Sequence, residues 1–185
     1  YSYLASTQVD ELEQETGVPV RWRPFLLGGV FEATGNEPPA RVQKKAQYMI
    51  RDLQRWADHY EVPFQMTSHF PINSLVPQRA LVAAAEYGED ATERLAAELY
   101  SDYWTEDIDV SNPAAVAQAA KSADLPGEEI LAMAQEQEVK DELRQNSDEA
   151  VERGAFGAPT FFVGDQMFWG NDRMHFVRKA VEEQS

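Results

Sequence analysis

The chain has 185 residues, 43% of them hydrophobic, enough for one domain, or one domain carrying an insertion, around a substantial core. Lys plus Arg is 16 and Asp plus Glu is 32, and the formal charge of -16 argues against nucleic acid or an anionic membrane surface as partner. No cysteine is present, which excludes disulfides, thiolate metal sites and Cys-x-x-Cys redox chemistry, so any thiol the protein uses must be brought in.

Tyr1-Ser-Tyr-Leu4 reads as a helix opening, with Leu4, Ala5, Val9 and Leu12 on one face and Gly17 as a stop. Val18 to Arg23 alternates Val18, Val20 and Trp22 against Arg21 and Arg23 as a strand does, and Pro24 closes it. From Phe25 to Pro39, glycine pairs and prolines predict irregular structure. A long helix over about Arg41 to Tyr60 follows, marked by Val42, Ala46, Met49, Ile50, Leu53, Trp56, Ala57 and Tyr60. Its other face carries Lys44, Lys45, Arg51 and Arg55.

Thr67 to Asn73 is again irregular, and Ser74 with Pro77 opens a helix that Gly88 stops. Further helices are predicted over Ala91 to Trp104, Pro113 to Lys121 with a cap near Ser111, Gly127 to Gln135, and Val139 to Arg153 before Gly154. No strand pattern interrupts this run. No apolar run approaches the roughly 18 residues of a transmembrane helix and no leader precedes the fold, so a soluble protein with no membrane partner, in the cytosol, is expected.

The stretch Phe156 to Arg173 is the most informative. Ala158-Pro159 opens the run Thr160 to Val163, and a proline, which cannot donate a ladder hydrogen bond, belongs at a strand's first position or a bulge. Gly164-Asp165 fits a two-residue turn, Gln166 to Trp169 returns as a second strand, and the spacing of Met174, Phe176, Val177 and Val181 predicts a closing helix. Asn171 suits an N-cap and Asp172 the helix dipole.

Proline, hairpin and closing helix in that order match the second half of a thioredoxin fold. The strings Trp22-Arg-Pro-Phe-Leu-Leu-Gly-Gly-Val30, Thr34-Gly-Asn-Glu-Pro-Pro39, Gly157-Ala-Pro-Thr160 and Trp169-Gly-Asn-Asp-Arg173 together resemble the 2-hydroxychromene-2-carboxylate isomerases, relatives of the kappa-class glutathione transferases and of DsbA-like proteins. The resemblance covers essentially the whole chain. It implies an α/β, thioredoxin-like fold with a large all-helical insertion, the fold's first strand missing from this chain. Residues 1–30 and 154–185 then form a split thioredoxin-like domain and residues 31–153 the helical insertion, with a ligand expected in the cleft between them.

The resemblance further implies a glutathione-dependent enzyme of aromatic catabolism, a homodimer in the cytoplasm, acting on a small aromatic carboxylate. Glutathione would lie along the edge formed by Ala158 and Pro159, adding to the sheet through the backbone of Ala158. Its γ-glutamyl end would meet Asn171 and Asp172 in the string begun by Trp169 and Gly170, a carboxylate on Asn171 and free N–H groups, an ammonium on Asp172. Asn36 and Lys45 would also reach the cofactor, Lys45 through a carboxylate.

Each assignment has a plainer alternative. Asn171 and Asp172 are ordinary helix-start residues, Asn36 an ordinary turn residue and Lys45 a solvated helix position. Phe70 and Trp169 either stack on an aromatic substrate or belong to the core. Glu32 stands where the family often has lysine and is given no role. The serine that would hydrogen-bond the glutathione sulfur falls two residues upstream of Tyr1 in the family's Ser-Pro string, so Ser2 does not inherit that role. His59, His69 and His175 have no metal-ligand spacing, and no metal site is expected.

The implied reaction interconverts 2-hydroxychromene-2-carboxylate and an o-hydroxybenzylidenepyruvate: the thiolate adds to the conjugated alkene, the former double bond rotates, and the thiolate leaves. Conjugation of glutathione to an electrophile, as in the kappa enzymes, and glutathione binding without catalysis are the alternatives.

Overall fold

The computed structural model of the protein describes Tyr1–Gln184, and the chain folds as two compact units. One contains Tyr1–Arg21, Leu27–Pro63 and the residues from Ala150 onward; the other contains Trp22–Leu26 and Phe64–Glu149. Residues 31–63, read from sequence as part of the helical insertion, therefore cluster with the hairpin. Side-chain bonds remote in sequence hold them there: the Asn36 amide donates to the Phe156 carbonyl at 2.7 Å, and the Tyr60 hydroxyl to the Asn171 carbonyl at 2.9 Å.

In the first unit, the helix expected to run to Gly17 is broken into α1 (Ser2–Ser6) and α2 (Val9–Thr16). At the break, Thr7 Oγ1 donates to the Leu4 carbonyl at 2.9 Å, a local bond that competes with the helical ladder. Leu4, Ala5, Val9 and Leu12 are buried as their spacing predicts. Gly17 ends α2 at φ 67°, where a residue without Cβ is favoured, and its N–H closes on the Glu13 carbonyl at 2.8 Å.

Val18 to Arg23, expected as a strand, is not one. A strand needs a neighbouring backbone, and here side chains answer the N–H groups: Val18 donates to Thr16 Oγ1 and Val20 to Glu13 Oε1. The stretch expected to be irregular contains α3 (Leu27–Thr34), which the Gly28-Gly29 pair hides from a propensity reading. Full burial of Val30 anchors it.

A 3-10 turn over Pro39–Arg41 leads into α4 (Gln43–Tyr60). Leu53 and Ala57 are buried, but Val42, Tyr48 and Ile50 are exposed, so only the C-terminal half of the expected apolar face is core. β1 (Thr160–Val163) and β2 (Gln166–Trp169) form the antiparallel hairpin in the register Thr160↔Trp169 to Val163↔Gln166. Gly164, at φ 56°, makes the turn. Among the described residues the sheet has these two strands. After a 3-10 turn over Asn171–Arg173, α10 (Met174–Glu182) buries Val177 and Ala180 and packs on both strands and α2, where Arg178 pairs with Glu15.

The second unit is helical, as expected: α5 (Leu75–Ala84), α6 (Ala91–Trp104), α7 (Pro113–Ser122), α8 (Gly127–Met133) and α9 (Gln137–Glu152), whose last residues belong to the first unit. Leu95, Val116, Ile130 and Leu143 are essentially fully buried at its centre, each worth about 1.5–3 kcal/mol over an exposed side chain. At the α7–α8 contact a Cβ on Gly127 would run into the Ala117 carbonyl, so glycine is required for the close approach. Asparagines beside the serines bond the first turns: Asn73, just before the cap position Ser74, accepts from the Leu75 N–H at 3.1 Å, and Asn112 at the α7 cap accepts from the Ala114 N–H at 3.0 Å. No helix among the described residues is long and apolar enough to cross a membrane.

Candidate functional site

The hairpin's entry and exit are tied together before any ligand is considered. Gly170 N–H donates to the Pro159 carbonyl at 3.0 Å, and Thr160 Oγ1 to the Gly157 carbonyl at 2.8 Å. Between them the Ala158-Pro159 peptide is cis. Neither the N–H nor the C=O of Ala158 takes part in a hydrogen bond among the described residues, although Ala158 is only half-buried. A free donor and acceptor on adjoining backbone at a sheet edge are what an added extended peptide needs.

Trp169 covers one side of this edge. Its ring lies 5.0 Å from that of Phe156, and a Cβ on Gly157 would come within 2.6 Å of its Nε1, so the indole packs over bare backbone next to Ala158. At 48% exposure Trp169 is a surface aromatic and not a core residue. Asn36 holds the segment before this edge by its bond to Phe156, while its Oδ1 accepts from the Glu37 N–H at 2.8 Å.

At the hairpin's exit Gly170, at φ 104°, turns the chain into Asn171–Arg173. A Cβ there would also come within 2.6 Å of Asp172 Oδ1. The other carboxylate oxygen of Asp172 accepts from Arg173, which ties the turn together. Asn171 departs from its predicted role: its side chain does not cap the helix. It is 3% exposed, with Nδ2 3.5 Å from the Tyr60 hydroxyl and its carbonyl accepting from that same hydroxyl. The N–H groups of Asn171 and Asp172 precede the first bonded turn and have no acceptor within it.

Three phenols border this acidic corner. Burial, reinforced by the Asp172 charge against the opposing Asn171 bond, raises the Tyr60 hydroxyl above its ordinary pKa and keeps it a donor. Burial first and the Asp52 bond second do the same for Tyr1, which donates to Asp52 at 2.9 Å; Tyr48 donates to the other Asp52 oxygen at 3.2 Å.

Asn36, Ala158, Pro159, Trp169, Gly170, Asn171 and Asp172 thus belong to one unit and, Asp172 and Ala158 included by adjacency, to one bonded segment. Lys45 is in the same unit, exposed in the N-terminal half of α4. Phe70 belongs to the second unit, 38% exposed, its ring 6.5 Å from that of Trp104. Sequence reasoning did not single out Gly157 or Tyr60: nothing local marks a hydrogen bond spanning 111 residues. His59 packs on Trp56 and Tyr60, His175 on Phe176, and among the described residues no group of His, Asp or Glu has the arrangement of a metal site.

The DSBA-like thioredoxin domain model matches residues 1–182. A 2-hydroxychromene-2-carboxylate isomerase of Sphingobium xenophagum is 32% identical over 183 residues, covering 98% of this chain and 92% of that protein. Glutathione S-transferase kappa 2 of Caenorhabditis elegans is 29% identical over 196 residues, covering 99% of this chain and 87% of its own length. A solved structure of a 2-hydroxychromene-2-carboxylate isomerase superposes with a TM-score of 0.85 at 25% identity, covering 99% of this chain and 89% of that one.

Proposed function

From the premise that the chain belongs to the DSBA-like thioredoxin domain family, in the branch of the 2-hydroxychromene-2-carboxylate isomerases and kappa-class glutathione transferases, we propose that it is a glutathione-dependent cis-trans isomerase of aromatic catabolism. It would interconvert 2-hydroxychromene-2-carboxylate and an o-hydroxybenzylidenepyruvate. The observation that carries the reading is a cysteine-free chain with an unpaired backbone edge at Ala158, running toward the acidic turn at Asn171-Asp172.

Those features fit a γ-glutamyl tripeptide. The Ala158 N–H and C=O extend the hairpin edge to its backbone; the Asn171 and Asp172 N–H groups receive its α-carboxylate; the Asp172 carboxylate takes the ammonium. Pro159 and Gly170 keep the edge in place through their mutual bond, and Asn36 steadies it from Phe156. Lys45 supplies a cation for the glycyl carboxylate. When bound, glutathione supplies the thiol the protein lacks. Trp169, exposed beside this edge, is a surface on which an aromatic ring can stack, and exposed Phe70 offers a separate such surface on the helical unit. The cytoplasm, where glutathione is kept reduced, is the setting this chemistry requires. The homodimer that the resemblance implies is part of the same proposal.

The test is to incubate the protein with reduced glutathione and o-hydroxybenzylidenepyruvate and follow both by absorbance and mass spectrometry. Ring closure to the chromene with glutathione undiminished is expected, and no turnover without glutathione. A thioether product that accumulates with loss of glutathione would reject isomerisation in favour of the transferase reaction, which the kappa relatives keep in view.

A further inference from the structure

The turn proposed to receive the γ-glutamyl group is held from outside by one side chain. Tyr60 is the last residue of α4, and its ring lies 5.3 Å from Trp56 and 5.4 Å from His59, which limits where its hydroxyl can reach. That hydroxyl donates to the Asn171 carbonyl at 2.9 Å and lies 3.5 Å from Asn171 Nδ2 as acceptor, so its proton and a lone pair serve one residue. Asn171 is buried, and a carbonyl there left without a donor is costly.

The peptide bond transmits this constraint. The Asn171 carbonyl and the Asp172 N–H belong to one planar trans unit, so pinning the oxygen fixes the opposite direction in which that N–H points. We infer that Tyr60 is a positioning residue for γ-glutamyl recognition: by holding the Asn171–Asp172 peptide plane it aims the Asp172 N–H at the ligand's α-carboxylate. This rests on the glutathione-binding reading above. Tyr60 itself touches no reacting atom.

The experiment compares two ligands on two proteins. Glutathione and cysteinylglycine share the thiol and the glycyl end, and only glutathione has the γ-glutamyl group. By calorimetric titration, wild type binds glutathione more tightly than cysteinylglycine. In Tyr60→Phe, the dissociation constant for glutathione rises about tenfold, the size of one hydrogen bond, while that for cysteinylglycine stays within about twofold. Equal weakening of both ligands, which a merely structural role gives, or weakening of neither, overturns the inference.

If wild type binds no glutathione, the binding reading itself falls, an outcome distinct from the previous two. Should Tyr60→Phe not fold, fluorotyrosine incorporated at position 60 keeps the native bonds at neutral pH and loses its donor as its more acidic hydroxyl ionises. Selective weakening of glutathione at that alkaline step, beyond any change in wild type at the same pH, is then expected; parallel weakening of both ligands rejects the role.

Discussion

Replacing Gly157 with alanine tests whether the indole of Trp169 shapes the ligand edge. Gly157 does not occupy the left-handed region, so the substitution acts through the added methyl alone. The new Cβ would lie 2.6 Å from Trp169 Nε1 where ordinary contacts are 3.4–4 Å, so the indole must retreat by about 1 Å. In a closed core such overpacking costs about 1–3 kcal/mol. Trp169 is 48% exposed and can swing outward, so the loss is near that of its ring pairing with Phe156, about 1 kcal/mol.

Thermal melting should show Gly157→Ala lowered by roughly 2–4 °C and glutathione bound several-fold more weakly. The decisive assay is the double-mutant cycle with Trp169→Ala: once the indole is gone, Gly157→Ala should cost less than about 0.5 kcal/mol. The same cost in both backgrounds would refute the packing argument and with it the claim that Trp169 borders the site.

Gly127→Ala forces α7 and α8 apart at the Ala117 carbonyl and should destabilise the helical unit by about 1–3 kcal/mol in urea unfolding, where an unchanged midpoint would contradict the close approach. Leu143→Ala, at a fully buried position, should cost about 2–5 kcal/mol by the same measurement. Burial, with the charges of Asp109 and Asp107 second, pushes the Tyr103 hydroxyl up to about 12 from its ordinary 10.0. Between those values the unfolded chain has lost this proton and the folded one keeps it, so its contribution is intact below pH 10 and is lost as pH rises toward 12. Tyr103→Phe, which removes a buried hydroxyl with no hydrogen-bond partner among the described residues, should shallow that alkaline loss without lowering stability at pH 8. Iodoacetamide treatment of the protein before glutathione is added should leave turnover unchanged, because the chain offers no thiol.

The elements most legible in the sequence are those whose cause is local. The hairpin is recoverable from the β-branched and aromatic run Thr160 to Val163, the Gly164 turn and Pro159 just before the strand, and α6 from its apolar spacing between Asp90 and Trp104. What depends on distant chain is not. Val18 to Arg23 alternates like a strand, yet local side chains take the N–H groups of Val18 and Val20 and no ladder forms. The helix over Leu27–Thr34 exists despite two glycines because Val30 finds a buried place, a tertiary gain that exceeds a weak propensity.

The candidate site divides in the same way. Its members Ala158, Gly170 and Asp172 were readable from a proline, a glycine and a helix start standing close in sequence. The anchors are not: no local signal marks the bond of Asn36 to Phe156 or that of Tyr60 to Asn171.

The central claim, that an external thiol peptide is clasped along Ala158 and the Asn171-Asp172 turn, is tested most directly by titrating reduced glutathione into isotope-labelled protein and following the backbone amide resonances. The account predicts saturable shifts concentrated at Ala158, Asn171 and Asp172. Shifts centred elsewhere, or none up to millimolar glutathione, would contradict it.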